Sequence, residues 1–291
     1  MNHDATDAPA YPLDIDERIT HASTPPARFY TDPAAWAAVR GRVFARSWQF
    51  LADTEMLKVP GQVHPQTLLE GLLDEPLLWT RDADDRLHCL SNVCTHRGML
   101  VADGPGVEKA LRCRYHGRRF GLDGAFQYMP EFDGVANFPA PCDDLPRFAW
   151  GQWGPLLFAG LDPAVPLEEM LAPMQARLAW LPLHEFRFDA QRSRDYLVRA
   201  HWALYVENYL EGFHIPYVHA ALNEVLDYGA YTTELYPGCN LQLATHKTPE
   251  GAFDLPKTSP DYGRNIVAYY WWVFPNLMFN FYPWGLSINV V

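Results

Sequence analysis

A chain of 291 residues with 48% hydrophobic and 14% aromatic side chains can fill two cores, which excludes a disordered polymer. A net charge of −12, with no basic run to overrule it, argues against nucleic acid as a partner.

Residues 1–28, rich in Pro, Asp and Ala, predict a loosely held lead-in, and their acidic, polar start is unlike a secretory signal. Thr31 or Asp32 is placed to cap a helix with Pro33 in its first turn, and Trp36, Val39, Val43 and Phe44 fall on one face at helical spacing. From Trp48 the texture changes to short strands and turns. Residues 77–81 and 86–90, joined by Asp82-Ala83-Asp84-Asp85, read as a hairpin, as do residues 121–128 around Asp123-Gly124. With residues 148–161 as a closing pair, a small antiparallel β domain is expected at 44–160. An N-terminal segment at 1–43 precedes it and is expected to pack with the C-terminal segment.

Pro163 and Pro166 mark the start of that C-terminal segment, 161–291. Its first helix carries Leu167, Met170, Leu171, Met174 and Leu178 on one face. Residues 186–200 alternate as a strand does, and 201–215 read as a helix ended by Pro216. Strand-like runs follow at 232–245, 265–274 and 277–291, which makes this segment α+β. The apolar tract 269–284 is broken by Pro275, Asn276, Asn280 and Pro283 and cannot be a transmembrane helix. Cys89, Cys142 and Cys239 are scattered and read as buried thiols of a reducing compartment, so a soluble cytoplasmic protein is expected.

Two runs carry chemistry. The first is Cys94-Thr95-His96-Arg97-Gly98 and, with sixteen residues between His96 and Cys113, Cys113-Arg114-Tyr115-His116-Gly117. One Cys and one His on each of two loops suit a [2Fe-2S] cluster in which thiolates hold one iron and imidazoles the other. A tetrahedral zinc also takes Cys2His2 and is the competing reading, although zinc fingers pair Cys with Cys and His with His. The second run extends from Glu207 through Glu211 and His214 to His219. On a helix Glu207, Glu211 and His214 share a face, and Pro216 frees His219 to turn back toward it. Two His with a carboxylate form the facial triad that binds non-haem Fe(II), although a helix bearing Glu and His is more often a solvated face.

At the first run the chain resembles the Rieske family. Met99 and Tyr115 occupy the places where respiratory-chain members carry an extra disulfide-forming cysteine, so the likeness is to the oxygenase and ferredoxin branch. With the second run, residues 30–291 resemble the large subunit of Rieske non-haem iron oxygenases. The resemblance implies a Rieske domain followed by a catalytic domain of the helix-grip type. It implies Cys94, His96, Cys113 and His116 as cluster ligands, and His214 and His219 as ligands of mononuclear Fe(II). It also implies Glu211, where the family commonly has Asp, as the acid joining a neighbouring subunit's cluster histidine to the iron histidine. Electrons would come from an NAD(P)H-dependent reductase, pass through His116, Glu211 and His214 within a homotrimer, and be used with O2 on a small organic substrate.

Glu211 and the aromatic tract from Phe274 to Gly285 look nearest the branch acting on choline, carnitine and betaine-like ammonium compounds, by hydroxylation or demethylation. Aromatic walls hold such cations through their ring faces, and hold aromatic substrates equally well by stacking. An aromatic ring-hydroxylating dioxygenase is therefore the second reading, and a Rieske electron carrier without catalysis the third. The family's third iron ligand, a carboxylate on a late helix, has no counterpart. The acids after His219 are Glu224, Asp227, Glu234, Glu250, Asp254 and Asp261, none at that position. The expectation is a C-terminally truncated oxygenase, with a loaded cluster and a weakly filled His214/His219 site.

Overall fold

In the computed structural model, which describes residues 10–220, 224 and 226–291, α1 spans Pro33–Arg42. Asp32 caps it: its Oδ1 accepts from the Ala34 N–H at 2.8 Å and its carbonyl from the Trp36 N–H at 3.1 Å. The buried face is Ala35, Ala38 and Val39, whereas Trp36, expected inside, is exposed. Small alanines allow close approach on one side, so the large indole is turned outward against His201 at 5.9 Å.

The described residues divide into two compact units, Arg40–Pro163 and residues 10–39 taken with Ala164–Val291. The sheets of the first are all antiparallel. Its strands are β1 (Gln49–Asp53), β2 (Gln62–Leu68), β3 (Glu75–Arg81), β4 (Leu87–Ser91), β5 (Gly106–Val107), β6 (Leu111–Arg112), β7 (Arg119–Phe120), β8 (Phe126–Tyr128), β9 (Ala149–Trp153) and β10 (Leu156–Gly160). They form sheets ordered β4-β3-β2-β5, β6-β7-β8 and β1-β10-β9. The three hairpins read from turn chemistry are present. Period-two alternation on β3 and β4 feeds two cores at once. Leu78 and Leu90 join Val63, Cys94, Leu111, Cys113, Phe120 and Leu122, while Leu77, Trp79 and Cys89 join Leu57, Leu68 and Leu157.

The second unit contains α2 (Leu167–Arg177), α3 (Trp202–Tyr209), α4 (Ile215–Val218) and an antiparallel meander. The meander runs β11 (Thr232–Tyr236), β12 (Cys239–Thr245), β13 (Ile266–Val273), β14 (Leu277–Tyr282) and β15 (Gly285–Val290). Its register sorts residues onto two faces. Leu241, Trp271 and Phe279 are paired across the strands, as are Leu243, Tyr269 and Phe281, and all six are fully buried. Burying each aliphatic or Phe among them is worth about 1.5–3 kcal/mol. The other face carries Gln242, Tyr270 and Asn280, and receives α3 through the Tyr209 hydroxyl, which donates to Asn280 Oδ1 at 2.8 Å.

Three local expectations are corrected. Residues 186–200 form no strand: Tyr196, Leu197 and Val198 are exposed, and alternation without a paired neighbour leaves backbone groups unsatisfied. The helix expected over 201–215 is two helices, broken after Tyr209. Cys142 is exposed, unlike Cys89 and Cys239, because it sits on a surface 3-10 turn, Pro141–Asp143.

Candidate metal centres

The two Cys-His loops fold as the same turn. The Gly98 N–H donates to the Cys94 carbonyl and the Gly117 N–H to the Cys113 carbonyl, each at 3.0 Å. In return, Cys94 N–H reaches the Met99 carbonyl at 2.8 Å and Cys113 N–H the Arg118 carbonyl at 2.9 Å. Both turns close only because Gly98 and Gly117 adopt φ of 71° and 75°, where a side chain is strained. The turns bring the Cys94 and Cys113 side chains into one buried cluster, and set the His96 and His116 rings 4.7 Å apart at its edge.

Burial raises the Cys94 thiol and lowers the His96 imidazole. The positive charge of Arg118 pulls downward on both. Thiols paired with each other, and imidazoles likewise, are a donor set for two bridged metals. Among the described residues no three His, Cys, Asp or Glu side chains converge as one tetrahedral zinc would need. The residues fit a [2Fe-2S] cluster.

Arg118 was not singled out in the sequence, where it looks like one more surface arginine. It is buried. Its guanidinium lies 5.0 Å from the Phe126 ring centroid and 5.7 Å from those of Phe120 and Phe138. It donates to the Asp143 carboxylate and, at 3.2 Å, to the Asp143 carbonyl. That carbonyl also accepts from the Thr95 hydroxyl at 2.8 Å, so one peptide oxygen anchors both loops. Burial pushes the Asp143 carboxyl up, but the Ala140 N–H and Arg118 outweigh it and hold the group below the ordinary carboxylate range.

The second candidate centre lies on the turn between α3 and α4. α3 ends at Tyr209, and glycine at 212 leaves room for Tyr231, whose ring a Cβ there would meet at 2.8 Å. Glu207 no longer shares a face with the histidines and instead accepts from the Tyr30 hydroxyl at 2.6 Å. Glu211 accepts from the Phe213 N–H through Oε2 and lies 2.6 Å from His214 Nδ1 through Oε1. Pro216 sits in the first turn of α4, where its missing N–H costs nothing, so it starts a helix where it was expected to end one.

His214 and His219 bracket the single turn of α4 as its two caps, and their rings are 5.1 Å apart. The pair fits two imidazole ligands of one metal. Among the described residues, no carboxylate joins them as a third. Two acids after His219 are committed elsewhere. Asp261 is buried and accepts from Arg177, Arg264 and Tyr269, and Glu234 accepts from Arg177 and Tyr236.

Behind this turn, Ile215 packs with Leu226, Ala244 and Ala268, beside half-buried Tyr231, Tyr270 and Tyr282. Gln242 donates to the Tyr209 carbonyl and accepts from the Tyr231 hydroxyl at 2.9 Å. Gln242 was not picked out in the sequence, and Asn280 was read only as a break in an apolar tract. The available signal was a polar residue inside an apolar strand. Among the described residues no helix is long and apolar enough to cross a membrane.

Comparison with known proteins matches residues 47–139 to the Rieske [2Fe-2S] domain and residues 180–291 to the ring hydroxylating alpha subunit catalytic domain. Choline monooxygenase of Arabidopsis thaliana is 28% identical over 288 residues, covering 94% of this chain and 65% of the relative. The carnitine monooxygenase oxygenase subunit of Escherichia coli K12 is 27% identical, with 90% of this chain and 68% of that protein covered. The chain thus spans slightly under two thirds of the choline enzyme's length. Among solved structures, the quaternary ammonium Rieske monooxygenase CntA with L-carnitine aligns with a TM-score of 0.71 at 22% identity, covering 90% of this chain and 69% of that one. Naphthalene 1,2-dioxygenase from Rhodococcus sp. aligns at 0.68 and 23%, covering 88% and 64%. With its matched Cys-His turns in one unit and its histidine-bearing helix pair over an antiparallel sheet in the other, the chain belongs to the Rieske non-haem iron oxygenases, as a Rieske [2Fe-2S] domain followed by a ring-hydroxylating alpha-subunit catalytic domain.

Proposed function

We propose that this chain is the terminal oxygenase component of a cytoplasmic Rieske system that takes electrons from an NAD(P)H-dependent reductase and oxidises a small quaternary ammonium compound. One observation carries the reading: a four-ligand Cys-His pocket and a separate carboxylate-histidine-histidine turn occur in one polypeptide. Cys94, His96, Cys113 and His116 hold the cluster, and His214 and His219 hold Fe(II). When bound, the cluster stores one electron and the iron activates O2 beside the substrate.

The chain's own residues do the positioning. An ionised carboxylate only accepts, so Glu211 fixes the His214 proton on Nδ1 and leaves its Nε2 lone pair to a metal. The same carboxylate is able to accept from a second imidazole, which is the bridging role in a homotrimer. The half-buried rings of Tyr270 and Tyr282, 5.9 Å apart, offer π faces near the site to an onium group that no acid needs to neutralise.

The choline and carnitine relatives support an ammonium substrate over an aromatic ring. The test combines metal analysis with turnover. Purified protein should contain acid-labile sulfide and two cluster irons per chain. A third iron should be substoichiometric and abolished by His214→Ala, because no described carboxylate completes its ligand set. With excess Fe(II) and a surrogate reductase, O2-dependent product should appear from choline, carnitine or betaine-like compounds. Two irons per chain and no product from ammonium or aromatic panels would leave an electron carrier.

A further inference from the structure

Burying a guanidinium is costly unless something compensates, yet Arg118 is 2% exposed and two residues from His116. Its compensation is incomplete. Asp143 satisfies one end, three phenylalanine faces line the guanidinium, and its Nε–H is buried with no acceptor among the described residues. The aromatic lining is continuous with the candidate ligands: Phe138 lies 4.8 Å from Phe132, which meets the edge of His96 at 6.2 Å. A hydrogen-bonded arginine needed only to tie down a loop would not require a stranded donor. A cation meant to face a group that becomes more negative would.

We propose that Arg118 is the positioning residue that sets the reduction potential of the cluster, with Asp143 as the counter-charge that limits it. The inference rests on the Rieske reading of the first unit. With two thiolates, two sulfides and two neutral imidazoles, the diferric cluster carries no net charge. One electron from the reductase makes it singly negative without breaking or forming a bond. A fixed positive charge in a dry, aromatic-lined site stabilises the reduced state more than the oxidised one, and the free Nε–H adds a donor whose bond strengthens with that charge. Asp143 opposes this field and is better screened by solvent. It is the more exposed partner, with a side chain 16% exposed against 3% for Arg118. The two residues should therefore act on the potential with opposite sign, which a purely mechanical latch between the loops would not do.

The experiment is a spectroelectrochemical titration of the purified, cluster-loaded chain and three variants. Arg118→Met keeps the length of the side chain and removes its charge. It should disfavour reduction at least tenfold, a drop of about 59 mV for one electron. Asp143→Asn keeps an acceptor oxygen and should raise the midpoint, while Arg118→Lys should restore most of the wild-type value. A midpoint that Asp143→Asn leaves unchanged or lowers would overturn the proposal, even if Arg118→Met fails to retain its cluster. Loaded Arg118→Met with a wild-type midpoint would overturn it equally. Wild-type protein lacking acid-labile sulfide would remove the Rieske reading and this inference together, whereas a loaded cluster indifferent to the variants removes this inference alone.

Discussion

Glu211 Oε1 lies 2.6 Å from Nδ1 of His214, three residues later on the turn between α3 and α4. The second carboxylate oxygen is held by the Phe213 N–H, so the acid is oriented by the backbone of the loop it serves. Outer partners of this kind are worth tenfold to a hundredfold in metal affinity or activity. Glu211→Ala should therefore leave the visible spectrum of the cluster unchanged. Reoxidation of the reduced cluster by O2 and substrate, in protein supplied with excess Fe(II), should slow by roughly ten- to a hundredfold. Stopped-flow absorbance measures this, and Glu211→Gln, which keeps an acceptor oxygen, should fall between.

Asp261 separates structural from ligand roles. It is buried against Arg177 at 2.7 and 2.8 Å, Arg264 at 2.9 Å and the Tyr269 hydroxyl at 3.0 Å. Removing one partner of a buried ion pair costs about 3–5 kcal/mol because the other charge is stranded. Asp261→Asn should destabilise the second unit by that order in chemical denaturation while leaving Fe(II) binding at His214 and His219 unchanged. Loss of iron from a folded Asp261→Asn protein would instead make Asp261 a ligand.

The two glycines of the cluster turns should differ in tolerance. Both sit at positive φ, which costs a side chain about 1–2 kcal/mol. A Cβ at Gly98 meets nothing within 4 Å, whereas one at Gly117 meets Pro130 Cγ at 3.3 Å. Gly117→Ala should lose more cluster than Gly98→Ala, as read by sulfide content per chain and by the visible absorbance.

Acid should loosen the β3–β4 hairpin. Asp82 Oδ1 accepts from the N–H groups of Asp84 and Arg86 at 2.9 Å, and Oδ2 lies 2.7 Å from His88 Nε2. Burial pushes this carboxyl up, but the His88 hydrogen bond and the backbone donors prevail, so its folded value is below the ordinary one. A depressed folded value means the stabilisation is complete above the unfolded carboxylate value of about 3.9 and lost as pH falls through the folded value. Asp82→Asn should cost roughly 1–3 kcal/mol at neutral pH and flatten the acid limb of the stability curve.

The cluster motif was legible because its ligands are local: each Cys-His pair lies within one turn, closed by a glycine four residues after the cysteine. The hairpins were legible for the same reason, since Asp123-Gly124 and Asp82–Asp85 carry their own turn chemistry. What escaped depends on distant partners. Position 212 needs glycine because Tyr231 occupies the space of a side chain, and that contact spans nineteen residues. Arg118 becomes a core residue only once Phe120, Phe126, Phe138 and Asp143 surround it. Residues 186–200 alternate in sequence, but alternation describes a side-chain pattern and contains nothing about whether a neighbouring backbone is there to pair with.

The register of the central strands turns parity into a rule of inheritance. Tyr269 and Trp271 on β13, with Phe279 and Phe281 on β14, hold the sheet against one layer. Tyr270, Trp272 and Asn280, one step out of phase, face the layer that carries the histidines. Neighbours in the chain therefore answer to different demands. A randomised library over these strands should lose folded protein most sharply at the odd positions, whereas half-buried Tyr270 and Trp272 should tolerate more change. Change at Tyr270 or Trp272 thus leaves intact the face that their immediate neighbours hold.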